Sequence, residues 1–335
     1  MGIDLPLLWA VIILVAVMLY VMMDGYDLGI GLLFPFVADN ADRDIMMNTV
    51  APVWDGNETW LVLGGAGLLV GFPLAYSVIL SALYLPVVFM LLGLIFRGVA
   101  FEFRFKASEQ RRHWWDKAFI GGSAVAALSQ GVILGAYING IRVAESGYAG
   151  GALDWLTPFS LFTGVGLCVA YALLGGAWLI LKTGGRLRAR IIELARPLSW
   201  ALLAVIIAVS IWTPLAHPAI ARRWFSLPTL VWFSPVPILV ALAFWRLQQS
   251  LRGEPQAAPF VLTLSLVFLG YTGFGISVWP NVVPPATSIW DAAGPPQSLG
   301  FTLVGALLVI PMILGYTAWG YYVFRGKVDA SRGYH

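Results

Sequence analysis

Three short stretches place ionisable side chains within strongly apolar sequence. They are Asp24-Gly25-Tyr26-Asp27-Leu28-Gly29, Trp54-Asp55-Gly56-Asn57-Glu58-Thr59-Trp60 and Phe96-Arg97-Gly98-Val99-Ala100-Phe101-Glu102-Phe103-Arg104. In the first two, the carboxylates recur three residues apart, a spacing that puts them on one helical face. A charged residue at the centre of a bilayer costs about 2.5–3.5 kcal/mol on insertion scales, so each needs a reason. One reason is structural: a carboxylate near a helix start is favoured by the helix dipole, and a buried Asp pairs with an Arg such as Arg97. The other is chemical: carboxylates in an apolar bundle exchange protons near neutral pH, as a relay requires. Clustering at adjoining helix ends favours the relay.

Redox or metal chemistry is tested by counting ligands. Histidine occurs only at 113, 217 and 335, outside the apolar runs, and Cys168 has no Cys or His partner at metal-ligand spacing. Met18, Met22 and Met23 lack a histidine partner and read as packing residues. The chain is therefore expected to carry no catalytic residue, no metal and no cofactor of its own, and any redox group is expected in a partner. Several of the 15 tryptophans, among them Trp155, Trp224, Trp232, Trp279 and Trp290, fall near predicted membrane interfaces and suit an aromatic belt. The proline-rich stretch from Trp279 to Pro296 resists helix and is expected to form a fixed cap over the external face.

The elements that must position these residues follow from composition. Of 335 residues, 59% are hydrophobic and 11% charged, too little polar surface for a water-soluble globule of this size. Long apolar runs predict nine transmembrane helices, near 7–36, 53–72, 77–103, 117–139, 155–182, 197–214, 228–249, 257–279 and 298–325. The first is a span, not a cleaved signal. The expected fold is an all-α polytopic membrane protein, one transmembrane domain over 1–335, arranged as two four-helix bundles plus a peripheral helix. Glycines within the runs let the helices approach closely. The net charge of +3 comes from basic residues in short loops, not from a continuous patch, which excludes nucleic acid. Lys and Arg collect at 104–117, at 182–196 and at Arg325, Lys327 and Arg332, placing the N-terminus outside and the C-terminus in the cytoplasm. The acidic 39–44 loop and Arg222 with Arg223 run against that assignment.

The three acidic motifs, together with Ala51-Pro52-Val53, Trp279-Pro280-Asn281-Val282-Val283-Pro284, Tyr316-Thr317-Ala318-Trp319 and Phe324-Arg325-Gly326-Lys327-Val328, resemble subunit II of the cytochrome bd ubiquinol oxidases, including the cyanide-insensitive branch. They run in order along nearly the whole chain. The resemblance implies a heterodimer in the bacterial inner membrane whose subunit I holds two b-type haems and one d-type haem. That complex oxidises quinol, reduces oxygen to water and draws its protons from the cytoplasm. It further implies a polar path in this subunit, carried over to Asp55 and Glu102 with Asp27 and Glu58, and supported by Trp54, Arg97, Asp24 and Asn57. Relatives have Asp at the place of Glu102. Some relatives hold a structural quinone in a groove, and a small accessory subunit is compatible with the pattern. Two rival readings are a proton-coupled secondary transporter, against which all the intramembrane carboxylates lie in the first three predicted helices, and a purely structural partner subunit.

Overall fold

Asp4 starts the first helix: its Oδ1 accepts the Leu7 amide at 3.0 Å, and Pro6 in the first turn lacks the amide that would otherwise be orphaned. The computed structural model describes residues 3–144, 147–254 and 256–328; His335 and Arg332 lie outside them. The helices are α1 (Leu5–Leu33), α2 (Asn40–Asn48), α3 (Trp54–Gly71), α4 (Pro73–Ala82), α5 (Tyr84–Arg104), α6 (Glu109–Asn139), α7 (Pro158–Lys182), α8 (Gly185–Ala216), α9 (Pro218–Phe225), α10 (Thr229–Phe233), α11 (Pro235–Arg252), α12 (Ala258–Val278) and α13 (Pro296–Val323). Two small antiparallel hairpins, β1 (Val143–Ala144) with β2 (Gly147–Tyr148) and β3 (Asn281–Val283) with β4 (Thr287–Ser288), complete the described chain.

Among the described residues, eight segments are long and apolar enough to cross a membrane. The ninth predicted span is α3, whose first turn carries Asp55, Asn57 and Glu58 and is too polar to count as one. Two predicted runs are broken. The 77–103 run is α4 and α5, because Pro86 cannot donate to the carbonyl of Ala82. The 228–249 run is α10 and α11, divided at Ser234 before Pro235. Two runs are longer than predicted: α6 starts at Glu109 and α8 at Gly185, since their basic segments continue the helix beyond the apolar part.

Helices α1, α3, α5 and α6 pack as one group and α7, α8, α11 and α12 as another, joined where α7 lies against α1 and α6; α13 rests outside on α1 and α3. The joint depends on absent side chains. A Cβ on Gly175 would stand 2.5 Å from the carbonyl carbon of Gly29, so α1 and α7 touch backbone to backbone. Apolar clusters fill both ends. At one end Phe72, Ile141, Val283, Ile289 and Leu299 surround Trp9, with the proline-rich segment folded over them as the expected cap. At the other, Phe34, Met46, Phe119, Trp178 and Leu187 form the larger core.

That second end also accounts for the acidic 39–44 loop. Arg104, fully buried, pairs with Asp116 at 2.5 Å and with Asp44, while Arg43 reaches Asp116 at 2.9 Å and Arg112 reaches Asp44 at 3.3 Å. The acidic loop lies on the same side as the basic one and is neutralised by it.

Candidate functional site

Near this basic end, six helices turn polar groups inward. On α1, Asp24 and Asp27 sit one turn apart and are fully buried. From α5, Arg97 reaches Asp24 at 2.5 Å and, with its other terminal nitrogen, Glu58 of α3 at 3.3 Å. Trp54 lies across the guanidinium at 5.8 Å and stacks on Phe101 at 5.3 Å, which shields this ion pair on one side. Two carboxyl groups thus pair with one guanidinium, and Asp27 stands one turn further along α1 from the first of them.

Asp27 faces a second set of partners. Asn57 Nδ2 donates to Asp27 Oδ2 and to the Tyr26 hydroxyl, both at 2.8 Å, and Asn57 Oδ1 accepts from the Tyr321 hydroxyl of α13 at 2.8 Å. The Tyr26 and Tyr321 hydroxyls are themselves hydrogen bonded. On the other side of Asp24, Tyr20 lies beside the carboxyl and accepts from Gln130 Nε2 at 2.7 Å, and Tyr171 donates to Gln130 Oε1 at 2.8 Å. The series runs from Glu58, a quarter exposed, through Arg97 and Asp24 to a hydroxyl–amide–hydroxyl triplet in the bundle centre.

Two carboxylate oxygens, Asp24 Oδ2 and Asp27 Oδ1, find no hydrogen-bond partner among the described residues. Carboxyl and hydroxyl groups follow one another at hydrogen-bond distance through Asn57. A cleft of about 170 Å³, lined by Pro52, Gly56, Asn57, Thr317, Gly320 and Tyr321 among others, opens onto the Asn57–Tyr321 pair between the start of α3 and the end of α13.

The chain as a whole is similar to known proteins. The sequence profile described as cytochrome bd terminal oxidase subunit II matches residues 5–324. The chain belongs to this family. Subunit 2 of the cytochrome bd-I ubiquinol oxidase of Escherichia coli K12 is 28% identical, with 99% of this chain and 98% of the relative covered. Cytochrome bd ubiquinol oxidase subunit 2 of Bacillus subtilis is 27% identical, with 96% of each covered. A chain of the bd oxidase structure from Geobacillus thermodenitrificans shares the fold, with a TM-score of 0.79 at 15% identity over 96% of this chain and 99% of that one. This subunit II is thus part of a quinol:oxygen oxidoreductase of the bacterial inner membrane, and the family implies a subunit I partner and haems in the complex.

The eight residues singled out in the sequence of this subunit II do not form one cluster. Asp24, Asp27, Asn57, Glu58, Arg97 and Trp54 converge as described. Asp55 and Glu102, expected to face a buried channel, lie instead on the outer surface of the chain. Asp55 is in the first turn of α3, where the helix N-terminus favours a carboxylate without burial. Glu102 is on the outward face of α5 with Phe103 and pairs at 3.3 Å with Lys106, both side chains more than half exposed. Residues that sequence reading missed are Tyr20, Gln130, Tyr171 and Tyr321. A glutamine in mid-span at position 130 was the available signal; the tyrosines are indistinguishable from packing residues until their partners are known.

Proposed function

We propose that this chain is the haem-free subunit II of a terminal quinol oxidase, that it stabilises the haem-bearing subunit I, and that it carries protons from the cytoplasmic face toward that subunit. The observation that supports the proton role is a buried guanidinium paired with Asp24 and Glu58, one helical turn from a second buried carboxyl, Asp27, with one oxygen each of Asp24 and Asp27 unpaired among the described residues. Glu58 is the outer group, Asp24 and Asp27 are the buried carriers, and Arg97, Trp54 and Asn57 orient them. Asp55 and Glu102, exposed on this chain, serve as surface groups where a proton enters or crosses to the partner. The N-terminus is assigned to the periplasm and the C-terminus to the cytoplasm.

The haems, two b-type and one d-type, belong to subunit I in this reading. Among the described residues the histidines do not fit a haem site: His113 Nδ1 lies 2.9 Å from the Gln110 carbonyl and His217 Nε2 lies 3.2 Å from Asn139 Oδ1, each near a helix end and already in contact with a polar group of the chain. No step through a haem is assigned to this chain.

The test is oxygen consumption driven by quinol in the purified complex, with haem content read from the reduced absorption spectrum. Asp27→Asn keeps an acceptor for Asn57 but cannot carry a proton. It is expected to slow turnover on the order of a hundredfold, the lower end of the range for a positioned proton-transfer group, with haem content unchanged. Wild-type turnover in Asp27→Asn, Asp24→Asn and Glu58→Gln complexes that retain their haems would favour the purely structural partner.

A further inference from the structure

Helix α13 is weakly attached. Along its 28 residues only Leu299 and Leu303 are buried, and both belong to its first two turns and a half. Yet its last turns supply Tyr321, whose hydroxyl completes the hydrogen bonds around Asn57, and one wall of the cleft beside it. Something must hold this end in place, because a tyrosine on a loosely docked helix cannot keep a fixed hydrogen bond in a buried site.

Lys182 is in the position to do so. It closes α7, is 6% exposed, and its Nζ donates to the carbonyls of Phe324 and, at 3.2 Å, Gly326, the residues that follow α13. Its backbone carbonyl accepts the amide of Val328 at 2.8 Å, so the same residue grips the segment twice. No carboxylate pairs with Lys182 among the described residues; its remaining neighbour is the face of Trp178, 4.9 Å from Nζ to ring centroid. Trp178 stacks in turn on Tyr26 at 4.5 Å and meets Tyr321 edge-on at 6.1 Å. The ammonium thus touches both the backbone that carries Tyr321 and the ring that backs Tyr26.

Burying a lysine without a carboxylate is costly, and two ammonium bonds to the main chain of one short segment, beside the backbone bond that any residue at 182 would make, are a specific use of it. We propose that Lys182 is a positioning residue of the buried acidic site: by clamping the chain just after α13 it holds the Tyr321 hydroxyl against Asn57, and through Asn57 fixes the Asp27 carboxyl. The clamp rests on the proton-carrying reading given above only for its effect on turnover. Its effect on α13 is independent of that reading.

Two measurements on the assembled oxidase separate these. Hydrogen–deuterium exchange over 316–324 reports docking of the helix end. In Lys182→Met it is expected to rise about tenfold to a hundredfold, the loss of charge-assisted hydrogen bonds, and in Lys182→Arg to stay within about threefold of wild type. The pH profile of oxygen consumption reports the site. Lys182→Met should shift it in the same direction as Tyr321→Phe, and the double variant should shift it no further, because the lysine acts through the tyrosine. Lys182→Gln, which keeps one donor to a carbonyl, replaces Lys182→Met should that variant fail to assemble. Unchanged exchange over 316–324 in the variant that assembles overturns the clamp. Raised exchange with a wild-type pH profile, or a double variant with additive shifts, overturns the link to Tyr321. The proton-carrying reading is judged apart from both, by Asp27→Asn.

Discussion

Asp24 and Asp154 show how differently two aspartates of one chain are held. Asp24 and Arg97 meet with both side chains fully buried, and Arg97 has Glu58 as its second partner. Asp154, beyond α6, is on the opposite surface and accepts from Arg142 at 2.5 Å, from the Gly151 amide at 3.1 Å and from the Tyr148 hydroxyl at 3.0 Å. The Arg142 guanidinium, with these donors, holds the Asp154 carboxyl below the usual carboxylate range. The loop is thus held fully above the ordinary Asp value of about 3.9 and released as the pH falls through the lower value that Asp154 has in the folded chain. Amide exchange over 147–154, corrected for its intrinsic pH dependence, should be flat from neutral pH to about pH 4 and rise below it. Asp154→Asn should show the raised exchange already at pH 7; exchange equal to wild type there would mean the carboxylate does not hold the loop.

Helix packing sets where these side chains stand. The α1–α7 crossing has no room for a methyl group at Gly29, whose Cβ would meet the backbone of Tyr171 and come within 2.9 Å of the Gly175 amide. Because Asp27 and Asp24 are on the same helix, a displaced crossing moves them away from Asn57 and Arg97. Gly29→Ala should therefore lower the thermal stability of the assembled complex by about 3 kcal/mol, the upper end of overpacking costs, and weaken turnover with it. Gly65→Ala, on α3 with no atom within 4 Å of the added methyl, should be close to neutral. Equal melting of the two variants would show that the crossing tolerates separation. The acidic α2 segment belongs to the same scale: sequence placed it against the positive-inside rule, and the contacts of Asp44 with Arg104 and Arg112 remove the conflict by pairing the charges on one side.

At the scale of the whole molecule, α6 decides sidedness. Its 31 residues span about 46 Å at 1.5 Å per residue, more than the roughly 30 Å of hydrocarbon, so Ser108 before it and Gly151 after it face opposite compartments. In a Cys168→Ala background, a cysteine replacing exposed Ser108 should react with a membrane-impermeant maleimide only from the cytoplasmic side, and one replacing Gly151 only from the periplasmic side. The reverse pattern would invert the topology and place the acidic cluster near the periplasm.

The apolar runs determined by themselves that the chain is a helical membrane protein, because backbone groups in hydrocarbon must be paired within each segment, and the motif order carried the family. The Asp-x-x-Asp and Arg97 signals marked most of the buried cluster, since ionisable residues in such runs are rare enough to stand out. What sequence could not supply is the direction in which a side chain points. Asp55 and Glu102 carry the same signal as Asp24 and Asp27 but turn outward, and Tyr321 and Lys182, from distant helices, enter the site only because α13 folds back onto α1 and α3 and the residues after it reach the end of α7. Burial and partnership are properties of helix rotation and crossing, which many residues set together, and only the tertiary structure decided them.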